Sequence, residues 1–356
     1  MHWPWTRKVS QDQIIVSWSA KTLAYVHARA GDDGVFAIQR MGVERQGTDS
    51  MDDFVDHLQA LGLKGREVKV MLSPEQYQFL QIEAPAVPPE ELRAAARYQI
   101  RDMVQSHIDD ITLDVMRLGD GQQKPPGHLF VVAATHAVLR EVTDLGGALS
   151  WTIPVIDIQE MAQRNLQNAL ALRDARGEQA NAALVLVEGH QAVLTISAHD
   201  ELFYTRRLEL PEGFMGMTWS ESRDEAPKVE EGYSPVEEYV PGHSGGGVSY
   251  SPAPSTTGAI LDGGSSERVQ RFLVEVQRSL DLWDRSWSSM PLAGLRVYAG
   301  ARTQELADWL SRDLGQAVLT LDIEAQFSGL ESIPVEDKAV CLPLLGLLLR
   351  TENRKL

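Results

Sequence analysis

The chain has 356 residues, 33 lysines and arginines against 50 aspartates and glutamates, a formal net charge of −17 and 43% hydrophobic residues. That length exceeds what one ordinary core buries and predicts two domains, while the acid excess excludes nucleic acid as the main partner, since affinity there comes from neutralising phosphates. The single cysteine, Cys341, excludes an intramolecular disulfide and any cysteine-cluster metal site, and its setting in the apolar run AVCLPLLGLLL predicts a buried small hydrophobe.

Residues 1–11 (MHWPWTRKVSQ) have no apolar core of the kind a signal peptide carries, so they read as a flexible terminus. The longest apolar run, 339–349, is shorter than the roughly 20 residues that span a bilayer. The expectation is a cytoplasmic protein.

Residues 14–28 and 183–196 each read as strand, tight turn, strand. After the first hairpin, 35–46 alternates as another strand. An amphipathic helix follows over 51–65, with Ser50 as its N-cap and Gly62 or Gly65 as its stop. Residues 68–74 form a strand ended by proline. Pro88-Pro89 opens a helix over 89–104, with Glu90 and Glu91 in the favoured first turn and Leu92, Ala96, Ile100 and Met103 as its apolar stripe. Strands follow at 111–118 and 128–135, then a helix at 136–149. Residues 152–175 give a short strand and a helix, with Asp157 and Glu160 at capping-box spacing.

The second half repeats the theme. Its hairpin is followed by a strand at 202–210, a helix near 266–287, a strand and glycine turn at 297–301, and a helix at 303–315. A strand at 317–322 and an apolar helix starting near Val340 close the chain. Residues 216–265 break the pattern, being rich in Gly, Ser, Pro and Glu with no apolar period. Such a segment cannot bury enough surface to offset chain ordering, so it reads as a disordered acidic linker. Its aromatics, Trp219, Tyr233, Tyr239 and Tyr250, read as part of a solvated loop rather than a recognition element.

Two β-β-β-α halves, a small α/β piece inserted in the first, and a closing helix resemble the duplicated actin-like (ribonuclease H-like) two-domain fold. The resemblance implies a first domain over 12–78 and 127–178, an inserted subdomain over 79–126, and a second domain over 179–215 and 266–338. A C-terminal helix over 339–356 would return to the first domain. Residues 89–118 are similar to the PilM family of type IV pilus assembly proteins. Val104 fits its apolar position, Ile108-Asp109-Asp110-Ile111 its acidic turn and Leu113-Asp114-Val115 its strand end. Gln105-Ser106-His107 replaces the family's Pro–aromatic–Pro core. VIDIQEMA (155–162), Glu275, Arg278 and Ser279 on the helix 272–284, and LLGLLLR (344–350) match later motifs in the same order. The degenerate form looks most like the PilM-type members of MSHA-pilus systems, and less closely like the cytoplasmic domain of GspL-type secretion proteins.

In that fold an Asp-x-Gly turn in each half faces ATP and its magnesium. The alignment puts Ser17 and Ser19 at the first turn, with Lys21 nearby. It puts Val187 and Gly189 at the second and Ala299-Gly300 at the adenosine glycines. With both acids gone the resemblance implies no ATP hydrolysis. Metal-free ATP binding through Gly189, Lys21, Glu275 and Gly300 stands as the alternative. No metal site and no catalytic constellation emerge. The family also implies a partner, the cytoplasmic tail of a bitopic PilN-like inner-membrane protein, through which the chain would sit at the membrane, and contact with a pilus motor ATPase. The tail groove would be lined by Leu92, Ala96, Tyr98, Ile100 and Ile111, with Asp109 and Asp110 meeting cations of the tail.

Overall fold

A computed structural model describes residues 12–31, 35–118, 127–187, 190–219 and 261–351. The chain begins with β1 (Asp12–Ser19) and β2 (Thr22–Ala30), joined at Ala20 and Lys21, which both have positive φ (47° and 61°). That two-residue loop matches the right-handed twist of paired strands, even though neither residue is glycine. β3 (Phe36–Arg45) and helix α1 (Met51–Ala60) follow. Ser50 caps α1 as the sequence predicts, its Oγ accepting from the Asp53 N–H at 3.1 Å. β4 (Val68–Leu72) completes the first unit.

The inserted piece comprises β5 (Tyr77–Glu83), helix α2 (Leu92–Gln99), β6 (Ile111–Arg117) and β7 (His128–Thr135). These strands form a separate sheet in the order β5-β7-β6. β7, expected in the first domain, is therefore the central strand of the inserted sheet. The helix expected over 89–104 is shorter. A 3-10 turn at Pro89–Glu91 leads into α2, and residues beyond Gln99 continue only as turns, leaving Met103 exposed and outside the apolar stripe.

The chain returns through α3 (His136–Ala148) and β8 (Ile156–Ile158) to α4 (Gln159–Arg173). β9 (Ala180–Val187), β10 (Gln191–Ala198) and β11 (Glu201–Glu209) open the second unit, with His199 and Asp200 repeating the positive-φ hairpin turn at 50° and 63°. Helix α5 (Leu261–Ser286), β12 (Leu292–Tyr298), α6 (Thr303–Leu314), β13 (Val318–Thr320), β14 (Phe327–Ser328) and α7 (Val335–Leu348) follow. The first sheet runs β14-β3-β2-β1-β4-β8 and the second β11-β10-β9-β12-β13. Both contain an antiparallel meander followed by two parallel strands, in the order third-second-first-fourth-fifth. The duplication read from the two hairpins is thus a duplication of whole sheets. β14 is a crossing: the chain leaves the second domain and adds a short strand to the edge of the first.

Two helices tie the halves together. α4 is buried nearly all round, although it carries Gln159, Glu160, Gln163, Arg164, Asn165 and Gln167. Gln163, Gln167 and Asn165 serve backbone carbonyls of the second sheet and of α7. Gln163 Nε2 donates to the Ala183 and Val193 carbonyls at 2.9 and 3.1 Å, and Asn165 Nδ2 to the Gly346 carbonyl at 3.0 Å. α7 starts at Val335, earlier than expected. Pro334 and the first-turn acids Glu336 and Asp337 set its start, and Pro343 is accommodated inside it. The capping box expected from Asp157 and Glu160 does not form. Asp157 instead pairs with Arg350, and Glu160 is drawn into a buried cluster.

Trp219, expected in a solvated loop, is buried. It stacks on Trp309 with ring centroids 6.3 Å apart, and the Arg302 guanidinium lies 3.8 Å from its ring centre. Tyr233, Tyr239, Tyr250 and the remainder of the acidic linker from 220 to 260 lie outside the described residues, as do residues 1–11 and 352–356.

Candidate functional site

Two regions are candidates. The first is the cleft between the domains, a cavity of about 310 Å³. It lies where the first hairpin (Ser17, Ser19, Thr22), the end of β4 (Ser73, Glu75) and the start of α4 (Gln159) meet His190, Gln191 and one side of α7. Ligands in open α/β sheets sit at such carboxyl ends of strands. Of the nucleotide-site residues expected from sequence, Ser17 and Ser19 line it. Ser17 Oγ lies 3.2 Å from Ser73 Oγ, and Ser19 Oγ donates to Glu75 Oε1 at 2.9 Å.

The other expected residues are elsewhere. Lys21 is exposed at the hairpin tip and is not part of the lining. Gly300, at φ 57°, approaches Ala339 so closely that a Cβ would sit 3.1 Å from the alanine methyl; its role is packing against α7. Glu275 lies in a different cavity, between β11 and α5, paired with Arg206 and with Arg278. Gly189 lies outside the described residues. Glu75 is the single carboxylate among the described lining residues, and no lysine or arginine joins it. A magnesium nucleotide needs carboxylates for the metal and cations or a Gly-rich backbone for its phosphates. The described lining does not fit one. Among the described residues, no group of three histidine, cysteine or carboxylate side chains is placed to hold a metal ion.

Beside the cleft sits a buried cluster that sequence reasoning missed. Glu160, 0% exposed, accepts from the Tyr77 hydroxyl and from Arg207, whose Nη2 is 3.0 Å away. Arg207 also donates to the Pro74 and Tyr77 carbonyls and stacks over the Tyr77 ring at 4.5 Å. Burial, then the neighbouring Glu160 carboxylate, push the Tyr77 phenol well above its usual value, so it stays a donor. An arginine from the second domain is thereby bolted to the strand that starts the inserted subdomain. Cys341, on α7, is fully buried, and burial pushes its thiol up to about 12, which removes it from thiolate chemistry.

The second region is the inserted sheet. Its side chains alternate with period two. One face carries Ile82, Leu129, Val131, Ala133, Ile111, Leu113 and Val115, and these pack with Leu92 and Ala96 of α2 and with Ile100 at its C-cap into one buried cluster. Four of the residues expected to line a partner groove, Leu92, Ala96, Ile100 and Ile111, are therefore interior. They hold α2 to its sheet and are not available to a tail. Tyr98 is 80% exposed on the solvent side of α2, across the subdomain from the sheet's other face. Asp109 and Asp110 sit exposed in a 3-10 turn leading into β6, anchored by Arg97, which donates to the Ile108 and Ile111 carbonyls.

The sheet's other face meets the first domain. Phe79 of β5 faces Val132 of β7, and Phe130 of β7 faces Met116 of β6. Phe130 is buried, with Phe79 packed on it at 4.9 Å. Phe79, Val132 and Met116 are only partly covered, as are Val138 and Leu139 of α3, which pack on the same core cluster. These five partly buried residues pack on the core cluster that the inserted subdomain shares with the first domain, and they are the apolar seam of that junction. Period-two alternation in the three strands carried that signal. It went unread because the α2 stripe was the stronger pattern.

No model of a known protein family matches the chain, and no curated protein matches it. Among solved structures it is similar to a PilM–PilN type IV pilus biogenesis complex, at 16% identity and a TM-score of 0.62 over 95% of this chain and 98% of that one. It is also similar to the cytoplasmic domain of EpsL, an inner membrane component of the type II secretion system of Vibrio cholerae. That likeness has 12% identity and a TM-score of 0.41 over 61% of this chain and 79% of that one. A Bacteroides thetaiotaomicron protein with actin-like ATPase fold and unknown function matches at 8% identity and a TM-score of 0.45, over 90% of this chain and 95% of that one. At these identities the likeness is one of fold. The chain has a two-domain actin-like α/β fold. Among its described residues no helix is long and apolar enough to cross a membrane.

Proposed function

We propose that this chain is a PilM-like cytoplasmic scaffold of a type IV pilus assembly machine of the MSHA kind. In this reading it docks the cytoplasmic tail of a bitopic, PilN-like inner-membrane protein, associates with the membrane through that partner, and does not hydrolyse ATP. The observation that supports the reading is the apolar seam, where Phe79, Val132 and Met116, like Val138 and Leu139, are only partly buried against the core cluster. A solved structure of the same fold over nearly the whole chain is a PilM–PilN complex, which adds support. An extended tail would seat alternate apolar side chains in the seam, and Asp109 and Asp110 at the subdomain's surface would attract cations near the tail's membrane span. The cleft's described lining, with Glu75 as its one carboxylate, supports the absence of hydrolysis.

Co-purification with the bitopic membrane protein encoded beside it tests this. The wild-type chain retains that partner, and a folded Phe79→Asp, Val132→Asp double variant loses it. Undiminished co-purification by the double variant refutes the seam as the docking surface.

A further inference from the structure

The buried cluster beside the cleft also reaches across it. The first domain walls the cleft with Ser17, Ser73 and Pro74, and the second with Leu186, His190 and Gln191. Arg207, on β11 of the second domain, donates to the carbonyls of Pro74 and Tyr77 on the far side. The same guanidinium holds Glu160 of α4, with Nη2 3.0 Å and Nε 3.2 Å from Oε1, while the Tyr77 hydroxyl donates to Oε2. Glu160 is 0% exposed and Tyr77 is buried, so water does not compete for these bonds. Replacing a buried ion pair by apolar side chains is often neutral or stabilising. What the charged group adds here is direction: a planar guanidinium pinned to one carboxylate and two carbonyls, and stacked on the Tyr77 ring, has one place to sit.

The rest of the junction would let the halves turn. Gln163 and Gln167 fasten α4 to carbonyls of β9 and β10, so α4 belongs mechanically to the second sheet. α7 belongs to the first, where the Cys341 thiol donates to the Gly42 carbonyl at 3.5 Å. The two helices cross closely at Gly346, whose carbonyl accepts from Asn165 Nδ2 at 3.0 Å. Packed helices that cross in this way can slide and rotate on each other, which is how two-domain frames open and close. Such a turn would leave the Arg207–Glu160 pair intact, because both partners ride with the second sheet. It would break the bonds to Pro74 and Tyr77.

We propose that Arg207 is a latch: by gripping Pro74 and Tyr77 it holds the cleft closed and stops the two halves from turning about the α4–α7 crossing. The latch does not rest on tail docking, and its test contains no tail, so the two readings fail separately.

Thiol labelling of the full chain with Ellman's reagent at neutral pH tests it. Ser17→Cys places a reporter on the cleft wall, at a position 8% exposed, and the fully buried Cys341 is the internal control for unfolding. Labelling of a buried thiol follows the population of open molecules. Arg207→Met alone strands Glu160 and tests stability as much as latching, so the informative variant is Arg207→Met with Glu160→Gln, which removes both charges together. In that background the Ser17→Cys thiol should react about tenfold faster than in the otherwise wild-type chain, with Cys341 still unreactive. If the cluster serves only to compensate a buried charge, the double replacement labels at the wild-type rate. That result overturns the latch, and so does labelling of Cys341 in step with the Ser17→Cys thiol.

Discussion

The cleft and the apolar seam are both places where subdomains meet, yet they are built oppositely. Around the cleft the chain spends its polar groups on itself. Gln163, Gln167 and Asn165 hold backbone carbonyls, and Arg207, Glu160 and Tyr77 lock into one cluster. At the seam the packed side chains are apolar and only partly buried, and exposed acids sit elsewhere on the same subdomain. A fold can thus keep its two-domain frame after the frame's polar chemistry has become structural, and offer its unfinished surface on an insertion.

Five tests would break or sharpen that contrast. The largest effect is expected at Gly346, where α7 crosses α4 and an added Cβ would lie 2.0 Å from the Ala162 carbonyl oxygen. Gly346→Val should cost about 5 kcal/mol or more in urea unfolding, because backbone must move against backbone. Arg207→Met comes next, at about 3–5 kcal/mol, since it leaves the buried Glu160 side chain without its cationic partner. Adding Glu160→Gln should recover part of that loss, and a denaturation double-mutant cycle would read the coupling.

The inserted sheet's own contrast is between its two faces. Ile100→Ala, on the covered face, should lower stability by about 2–5 kcal/mol. Ile100→Ala variants that remain folded should still bind a tail peptide, whereas Phe79→Ser should lose binding and cost less stability. Equal losses of binding in both would erase the distinction between covered and open faces. Cys341 should resist Ellman's reagent at neutral pH in the native chain and react only on unfolding. Its raised folded value keeps the thiol protonated, and its burial blocks access. The smallest effect is expected from Asp109→Lys with Asp110→Lys, a few-fold loss of tail affinity that fades at high salt because both acids are exposed.

Much of the frame was legible in the chain. The two hairpins, the Ser50 cap and the helix α6 follow local patterns that tertiary contacts did not override. α4 was legible as a helix but not as the buried centre of the molecule. Its glutamines look like a solvated face, and only the carbonyls of distant strands reveal their partners. The start of α7 was obscured by Pro343, which reads as a helix breaker. β7 was read as a buried strand and assigned to the wrong sheet, since apolar runs do not name their neighbours. The α2 stripe was read correctly as apolar. Whether such a stripe packs inward or waits for a partner depends on the second layer, and here β6 and β7 fill it. Ser17 and Ser19 reached the cleft because a hairpin tip is a local feature. Glu275 and Gly300 did not, because their place depends on how α5 and α7 pack.

The central claim is that the seam docks a membrane protein's tail. Fluorescence anisotropy of a labelled tail peptide, taken from the bitopic protein encoded beside this chain, tests it most directly. Saturable binding by the wild-type chain, weakened by about tenfold or more in a folded Phe79→Ser variant and preserved in Tyr98→Ala, is the predicted result. Equal affinity in wild type and Phe79→Ser, or loss of binding in Tyr98→Ala alone, would contradict it.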